Sequence, residues 1–179
     1  MARILISGGS LGGLMAANIL LRAGHDVLVL ERSTRSLEGR GAGIVTHENL
    51  RAALRQCGAV VDRTLGVPVE SRVVLDARGN AECRWVHPQV LTSWGRLYSL
   101  LRAALPAERY RLGAQVAGVE QTEAGVAVRL ASGESVSGEL LIACDGIRSS
   151  VRAQFAPKVL PLYANYIAWR GVCDEASLS

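Results

Sequence analysis

The sequence lacks several features that would assign it to a functional class at once. Its 179 residues contain no uninterrupted apolar run near the roughly 20 residues of a membrane helix. The four cysteines are far apart and form no CxxC pair, so a metal site and a disulfide framework are both poor interpretations. The N-terminus has no pattern of a cleavable signal, because glycine interrupts its first apolar run. We therefore expect a reduced, cytoplasmic, globular protein with no membrane span and no metal.

Lysine is almost absent as well, since Lys158 is the only lysine among 20 basic residues. The arginines stand singly along the chain rather than in clusters with aromatic residues. This scatter disfavours a nucleic-acid surface in spite of the formal net charge of +4. Guanidinium groups pair well with phosphate, so some of them are suited to a small anionic cofactor. No internal repeat, low-complexity tract or linker indicates a second independent domain.

What the sequence does have is the start of a parallel α/β fold. We predict a strand in ARILISGG, a helix in LGGLMAANILLRAG that stops at Gly24, and a second, almost wholly apolar strand in HDVLVLER. Further helices are expected over residues 47–57 and in TSWGRLYSLLRAALPAERYRLG, ending at Pro106. Two strands around a turn at residues 77–80 are expected in ESRVVLDARGNAECRWV, and one strand in each of AQVAGVEQTE, GVAVRLAS, SVSGELLIACDG and YANYIAWRGVCDEA. The pattern is that of an antiparallel β-meander inserted in a parallel framework.

The glycine-rich turn GGSLGG between the first strand and the first helix has the layout of a phosphate-binding loop. Unpaired N–H groups and the helix dipole favour an anion at such a turn. Two registers fit the GxGxxG pattern with one substitution each: Gly8, Ser10 and Gly13, or Ser7, Gly9 and Gly12. We prefer the first, with Gly8 in the tight turn, Ser10 nearest the phosphates and Gly13 packing the helix on the strand.

Two residues, Ser10 and Glu31, affect which ligand this loop could bind. Ser10 costs some backbone clearance, but its hydroxyl can donate to a phosphate oxygen. Glu31, at the end of the second strand, is placed to accept the ribose hydroxyls of an adenosine and would repel a 2′-phosphate. A glycine turn that only packs the helix against the sheet is the alternative. Taken alone, this unit leaves FAD and NAD open.

Two distant segments together resemble the FAD-dependent aromatic monooxygenases of the para-hydroxybenzoate hydroxylase type. The similarity to their FAD-binding N-terminus is carried by GGSLGGLMAANILLRAGHDVLVLERS, and the similarity to their second motif by LLIACDGIRSSVR. More narrowly, RGAGIV, TSWGRLYSLLRAALPAERYRLG and YANYIAWRG resemble the 2,6-dihydroxypyridine 3-hydroxylase branch. The resemblance implies a Rossmann-like FAD-binding domain over residues 1–160, with substrate-side strands near 70–90, and the start of a substrate-binding sheet over 161–179.

The resemblance also implies a set of cofactor contacts. Carried over residue by residue, they are Gly8, Ser10, Leu11, Gly12, Gly13, Glu31, Arg32, Arg40, Gly43, Val45, Arg96, Asp145 and Gly146. Trp94 stands where many relatives have an arginine, and Arg96 or Arg102 is the expected substitute. His47 is a candidate catalytic base, although capping a helix is its more ordinary role. Asp145 with Gly146 is equally a helix N-cap pattern.

In this family a reduced flavin and O₂ hydroxylate an electron-rich aromatic ring, with NADH or NADPH as a transient electron donor. The resemblance therefore implies FAD, O₂ and a small aromatic substrate. The relatives are much longer, and their Gly-Asp third motif has no counterpart here. We expect an N-terminal portion, truncated before the substrate sheet is complete, that binds FAD weakly and hydroxylates nothing alone. A separate C-terminal half or a homo-oligomer would be its partner.

Two alternatives stay open beside the hydroxylase. The chain could be a non-catalytic FAD- or nucleotide-binding module that acts with a partner chain. It could also be an NAD-dependent oxidoreductase that uses only the first βαβ unit, although the segment around Asp145 argues against this.

Overall fold

The computed structural model describes residues 1–39, 42–168 and 176. Within them, the strands are β1 (Arg3–Ser7), β2 (Asp26–Leu30), β3 (Gly43–Thr46), β4 (Val67–Leu75), β5 (Ala81–Ser93), β6 (Tyr110–Arg111), β7 (Val116–Thr122), β8 (Gly125–Leu130), β9 (Ser135–Gly138) and β10 (Leu140–Ala143). The α-helices are α1 (Leu11–Arg22), α2 (Glu48–Gln56), α3 (Trp94–Ala104) and α4 (Ser150–Phe155). None of the helices in these residues is long and apolar enough to cross a membrane.

A four-stranded parallel sheet in the order β10-β1-β2-β6 forms the centre of the fold. The centres of β1 and β2 are apolar because both faces of the sheet are covered there. Ile4 and Ile6 of β1 lie in the core that includes residues of α1 and α3, whereas Leu5 lies in the core formed with the β-meander. This alternation is the period-2 pattern of a strand. The predicted βαβ start and the parallel framework are confirmed.

Two antiparallel sheets complete the architecture. The β-meander β7-β8-β9 packs on the parallel sheet through Val128 and Val136. A separate sheet in the order β3-β5-β4 contains the predicted substrate-side strands near 70–90. β5 runs on to Ser93, so part of the segment TSW is strand and the helix begins only at Trp94. The strand β3, in the glycine-rich connection before α2, was not predicted.

The segment SVSGELLIACDG is two strands in two different sheets, and its prediction as one strand was wrong. β9 pairs with β8 in the meander, whereas β10 pairs with β1 in the parallel sheet. The chain changes sheets at Gly138, where a Cβ would lie 2.9 Å from the Leu5 side chain. The Glu139 N–H then donates to the Arg3 carbonyl at 2.8 Å. Close packing on β1 therefore imposes the break.

The predicted strand in YANYIAWRGVCDEA does not form over residues 163–168. Asn165 has a φ of 63°, a left-handed conformation that interrupts an extended chain. Tyr163 and Tyr166 are 69% and 74% exposed, so they do not pack in the core. Trp169 lies outside the described residues, and the assignment of 161–179 to a substrate-binding sheet stays a prediction.

Candidate functional site

A cleft of about 440 Å³ opens at the carboxyl ends of β1, β2 and β10. Open α/β sheets bind their ligands at this edge. The loops that follow the three strands supply much of its polar lining: Gly8 and Ser10, Glu31 and Arg32, and Asp145 and Gly146. Predicted site residues from three separate segments of the sequence thus meet in one cleft.

The glycine loop has steric demands that distinguish the two possible registers. Gly8 has a φ of +101°, and a Cβ there would lie 2.3 Å from the Cys144 carbonyl oxygen. A Cβ at Gly13 would lie 1.8 Å from the Gly8 carbonyl oxygen. Gly12 has open space around it, whereas a Cβ at Gly9 would meet the Tyr110 hydroxyl at 2.2 Å. The turn and the close packing therefore fall on Gly8 and Gly13, as in the preferred register.

The N-terminus of α1 presents free hydrogen-bond donors beside the cleft. Ser10 is the N-cap, and its carbonyl accepts the Leu14 N–H at 2.9 Å. Its hydroxyl makes no capping bond. Among the described residues, the N–H groups of Ser10, Leu11 and Gly12 have no acceptor. Unpaired donors at a helix N-terminus, reinforced by the helix dipole, are suited to an anion.

Glu31 is only 6% exposed, and its carboxylate holds the glycine loop. Oε2 accepts the Gly9 N–H at 2.8 Å, and Oε1 accepts the Ser33 N–H at 2.8 Å. A carboxylate offers about four acceptor positions, so each oxygen can still accept a further hydrogen bond. Its role in anchoring the loop was not predicted from the sequence, where only a ribose contact was expected.

Asp145 follows β10, whereas Glu31 follows β2. These two strands flank β1 in the sheet, so the two carboxylates lie on opposite sides of the glycine loop. The Asp145 Oδ2 accepts the Ser150 N–H of α4 at 2.9 Å. The N-cap residue of α4 is Ser149, whose hydroxyl accepts the Arg152 N–H at 2.8 Å. Asp145 therefore caps the first turn of α4 from outside the helix, and its contact with the cofactor stays a prediction. Burial and the neighbouring Asp145 carboxylate raise the pKa of the Cys144 thiol, which keeps this group neutral at physiological pH.

Comparison with known proteins identifies the family. Residues 1–161 match the family model described as an FAD-binding domain. The chain belongs to this family.

Relatives of this FAD-binding domain are named monooxygenases. It is 36% identical to aurachin C monooxygenase/isomerase of Stigmatella aurantiaca over 96% of this chain and 47% of that protein. It is 35% identical to 2,6-dihydroxypyridine 3-monooxygenase of Paenarthrobacter nicotinovorans, over 99% and 44% respectively. The solved structure of 2,6-dihydroxypyridine-3-hydroxylase from Arthrobacter nicotinovorans aligns with a TM-score of 0.83 at 34% identity, over 91% of this chain and 41% of that one.

These comparisons confirm the predicted fold and the predicted resemblance to flavin-dependent monooxygenases. The chain spans less than half the length of the relatives it matches.

Other predicted contacts of the FAD-binding domain do not line the cleft. Gly43 and Val45 lie exposed on β3. The Arg96 guanidinium donates to the Thr64 hydroxyl at 2.8 Å, and that of Arg102 donates to the Leu105 carbonyl at 2.8 Å. Neither arginine lines the cleft, and Arg96 as a cofactor contact stays a prediction. Arg40 lies outside the described residues.

Some lining residues of the FAD-binding domain were missed from the sequence. They include Leu37, Trp94 and Gln115. Trp94 stacks on Tyr98, with ring centroids 5.1 Å apart and planes inclined by 9°. It was noted only as a replacement for arginine, and Gln115 belongs to no motif. Only the tertiary fold brings these side chains to the cleft.

His47 lies away from the glycine loop. It is the N-cap of α2, and its Nδ1 accepts the Leu50 N–H at 3.2 Å. It lines a second, shallower cleft of about 410 Å³ between α2 and the β4–β5 pair, together with Glu70 and Gln89. The structure thus gives His47 a capping role, and its role as a base stays a prediction.

The capping role predicts how His47 variants behave. His47→Ala is expected to lower the free energy of unfolding by about 1 kcal/mol, because the Leu50 N–H loses its acceptor. His47→Asn is expected to retain the stability, since asparagine is a good N-cap. Urea unfolding of both variants measures the difference. Equal destabilisation by alanine and asparagine would contradict the capping explanation.

Proposed function

We propose that this chain forms the FAD-binding part of a monooxygenase that hydroxylates an electron-rich aromatic or N-heteroaromatic ring with O₂ and NADH or NADPH. The observation that carries the proposal is that Gly8 and Ser10 of the glycine loop line one cleft with Glu31 and Asp145. The monooxygenase relatives, similar over nearly the whole chain, support it. A pyridine ring in the name of one of them favours an N-heteroaromatic substrate.

The cleft suits the adenosine diphosphate end of FAD. The free N–H groups of Ser10, Leu11 and Gly12 would bind the diphosphate, and the Ser10 hydroxyl would add a donor. The remaining acceptor positions of Glu31 would take the ribose hydroxyls, while the exposed Arg32 lines the cleft beside it. The negative charge of Glu31 disfavours a ribose 2′-phosphate at this position.

Asp145 and Gly146 would bound the cofactor on the β10 side of the cleft. When bound, the flavin supplies the oxygen chemistry. The residues of this chain bind and orient the cofactor. Gly43 and Val45 on β3 stay predicted flavin neighbours, and His47 a predicted base, in the protein that contains this chain.

Titration of FAD against this chain, followed by flavin fluorescence, tests the proposal. We expect saturable binding that ADP competes away and riboflavin does not, because the predicted contacts belong to the adenosine diphosphate end. The variant Glu38→Ala removes an exposed carboxylate from the segment between β2 and β3, which also contains Glu31. It is expected to bind FAD like the wild type. Binding of NAD but not of FAD would overturn the proposal in favour of a nicotinamide enzyme.

A further inference from the structure

Tyr110 is a buried side chain beside the glycine loop that no motif marks. It belongs to β6, next to β2 in the parallel sheet, and is 8% exposed. Its hydroxyl donates to the Gly9 carbonyl at 2.9 Å. Burial raises the pKa of Tyr110 far above its ordinary value, so the hydroxyl stays protonated and able to donate. The Tyr98 hydroxyl donates to that of Tyr110 at 3.5 Å, and only Tyr110 donates to Gly9.

The bond from Tyr110 fixes the direction of a donor in the loop. The Gly9 carbonyl and the Ser10 N–H belong to one peptide group, and no peptide bond in the described residues is cis. In a trans peptide the C=O and N–H point in opposite directions. Holding the carbonyl on Tyr110 therefore directs the Ser10 N–H away from Tyr110, and Ser10 lines the cleft whereas Tyr110 does not.

The peptide group before Gly9 is fixed from the other direction. Its N–H donates to the Glu31 carboxylate at 2.8 Å. Glycine has more backbone freedom than any other residue, so a loop with Gly8 and Gly9 would otherwise sample many peptide orientations. Glu31, just after β2, and Tyr110 of β6 thus hold the two peptide groups that flank Gly9. Groups held in the binding orientation before the ligand arrives lower the entropic cost of binding.

We propose that Tyr110 is a positioning residue for the diphosphate group, acting through the Gly9–Ser10 peptide. This inference rests on the proposed binding of FAD in the cleft. Tyr110 affects only the diphosphate donors, whereas Glu31 both holds the loop and is placed to bind the ribose.

The variant Tyr110→Phe removes the hydroxyl alone and tests this role. Tyr98→Phe is the matched control, because it removes a buried hydroxyl that donates to Tyr110 but leaves the bond from Tyr110 to Gly9 in place. ADP and adenosine are titrated against each variant and followed by NMR shifts. We expect Tyr110→Phe to weaken ADP binding by about fivefold to tenfold, the size of one net hydrogen bond, and to leave adenosine binding unchanged. Tyr98→Phe should change neither by more than about twofold.

A purely structural role would weaken ADP and adenosine equally, and that result overturns the inference. An unchanged affinity for ADP in Tyr110→Phe overturns it too. The amide signal of Ser10 gives a second readout, since it should move in Tyr110→Phe while that of the exposed Gly12 stays in place. A wild-type chain that binds ADP but does not bind FAD contradicts the proposed function alone. A wild-type chain that binds neither contradicts both proposals.

Discussion

Replacing Gly13 with alanine is expected to destabilise the protein strongly. The new Cβ would lie 1.8 Å from the Gly8 carbonyl oxygen, which is backbone and cannot rotate away. Gly8 is itself held against the Cys144 carbonyl and donates its N–H to Leu30 at 2.8 Å. Either α1 must move off the sheet or the loop must open, and overpacking of this kind costs about 1–3 kcal/mol or more.

Gly12→Ala is the matched control for Gly13→Ala, one residue earlier in the same helix. Gly12 is exposed with open space around it, so alanine should stabilise α1 by up to about 1 kcal/mol through its higher helix propensity. Urea unfolding of both variants measures the contrast. If Gly12→Ala were the destabilised variant, the loop would follow the alternative register through Ser7, Gly9 and Gly12.

Glu31→Ala is expected to impair both the loop and its ligand. The Gly9 and Ser33 N–H groups would lose their charged acceptor, which should lower the free energy of unfolding by about 2–4 kcal/mol. If the carboxylate also accepts the ribose hydroxyls, FAD affinity should fall by about tenfold to a hundredfold. Glu31→Gln keeps the shape but only one acceptor oxygen, so an intermediate loss is expected.

Urea unfolding and FAD titration together separate the two effects of Glu31. Glu38→Ala serves again as the control, because its side chain is exposed on the same connection. Wild-type FAD affinity in a destabilised Glu31→Ala variant would show that the carboxylate only anchors the loop. The ribose contact would then be excluded.

The first βαβ unit was predictable because local signals agree there. The apolar strands, the helix-spaced small residues and the glycines of the turn all specify the same structure, and Gly8 and Gly13 take the steric roles assigned to them. The strand switch at Gly138 was not predictable, because a single glycine in SVSGELLIACDG does not by itself mark the end of one strand and the start of another. Contact with Leu5, far away in the sequence, decides where one strand ends.

The cleft was predictable only where a residue follows a strand in a recognisable motif. Glu31 and Asp145 satisfy that condition, and both lie in the lining. Arg96 was placed by resemblance alone, and the structure turns it towards Thr64. Tyr110 belongs to a strand of two residues, too short for any periodicity to reveal. Its contact with Gly9 depends on sheet order, which the sequence does not specify locally.

The pairing of β1 with β10 also determines when the cleft can exist. Arg3 and Glu139, which are hydrogen bonded, are 136 residues apart in the chain. The first βαβ unit and the β-meander can each form from local contacts, whereas this pairing must close a very long loop of chain, a slow kind of folding step. A nascent chain still held on the ribosome before Cys144 has its glycine loop but not the backbone against which Gly8 rests. Capture of a nucleotide is therefore tied to a late event in folding rather than to the early helix that carries the loop.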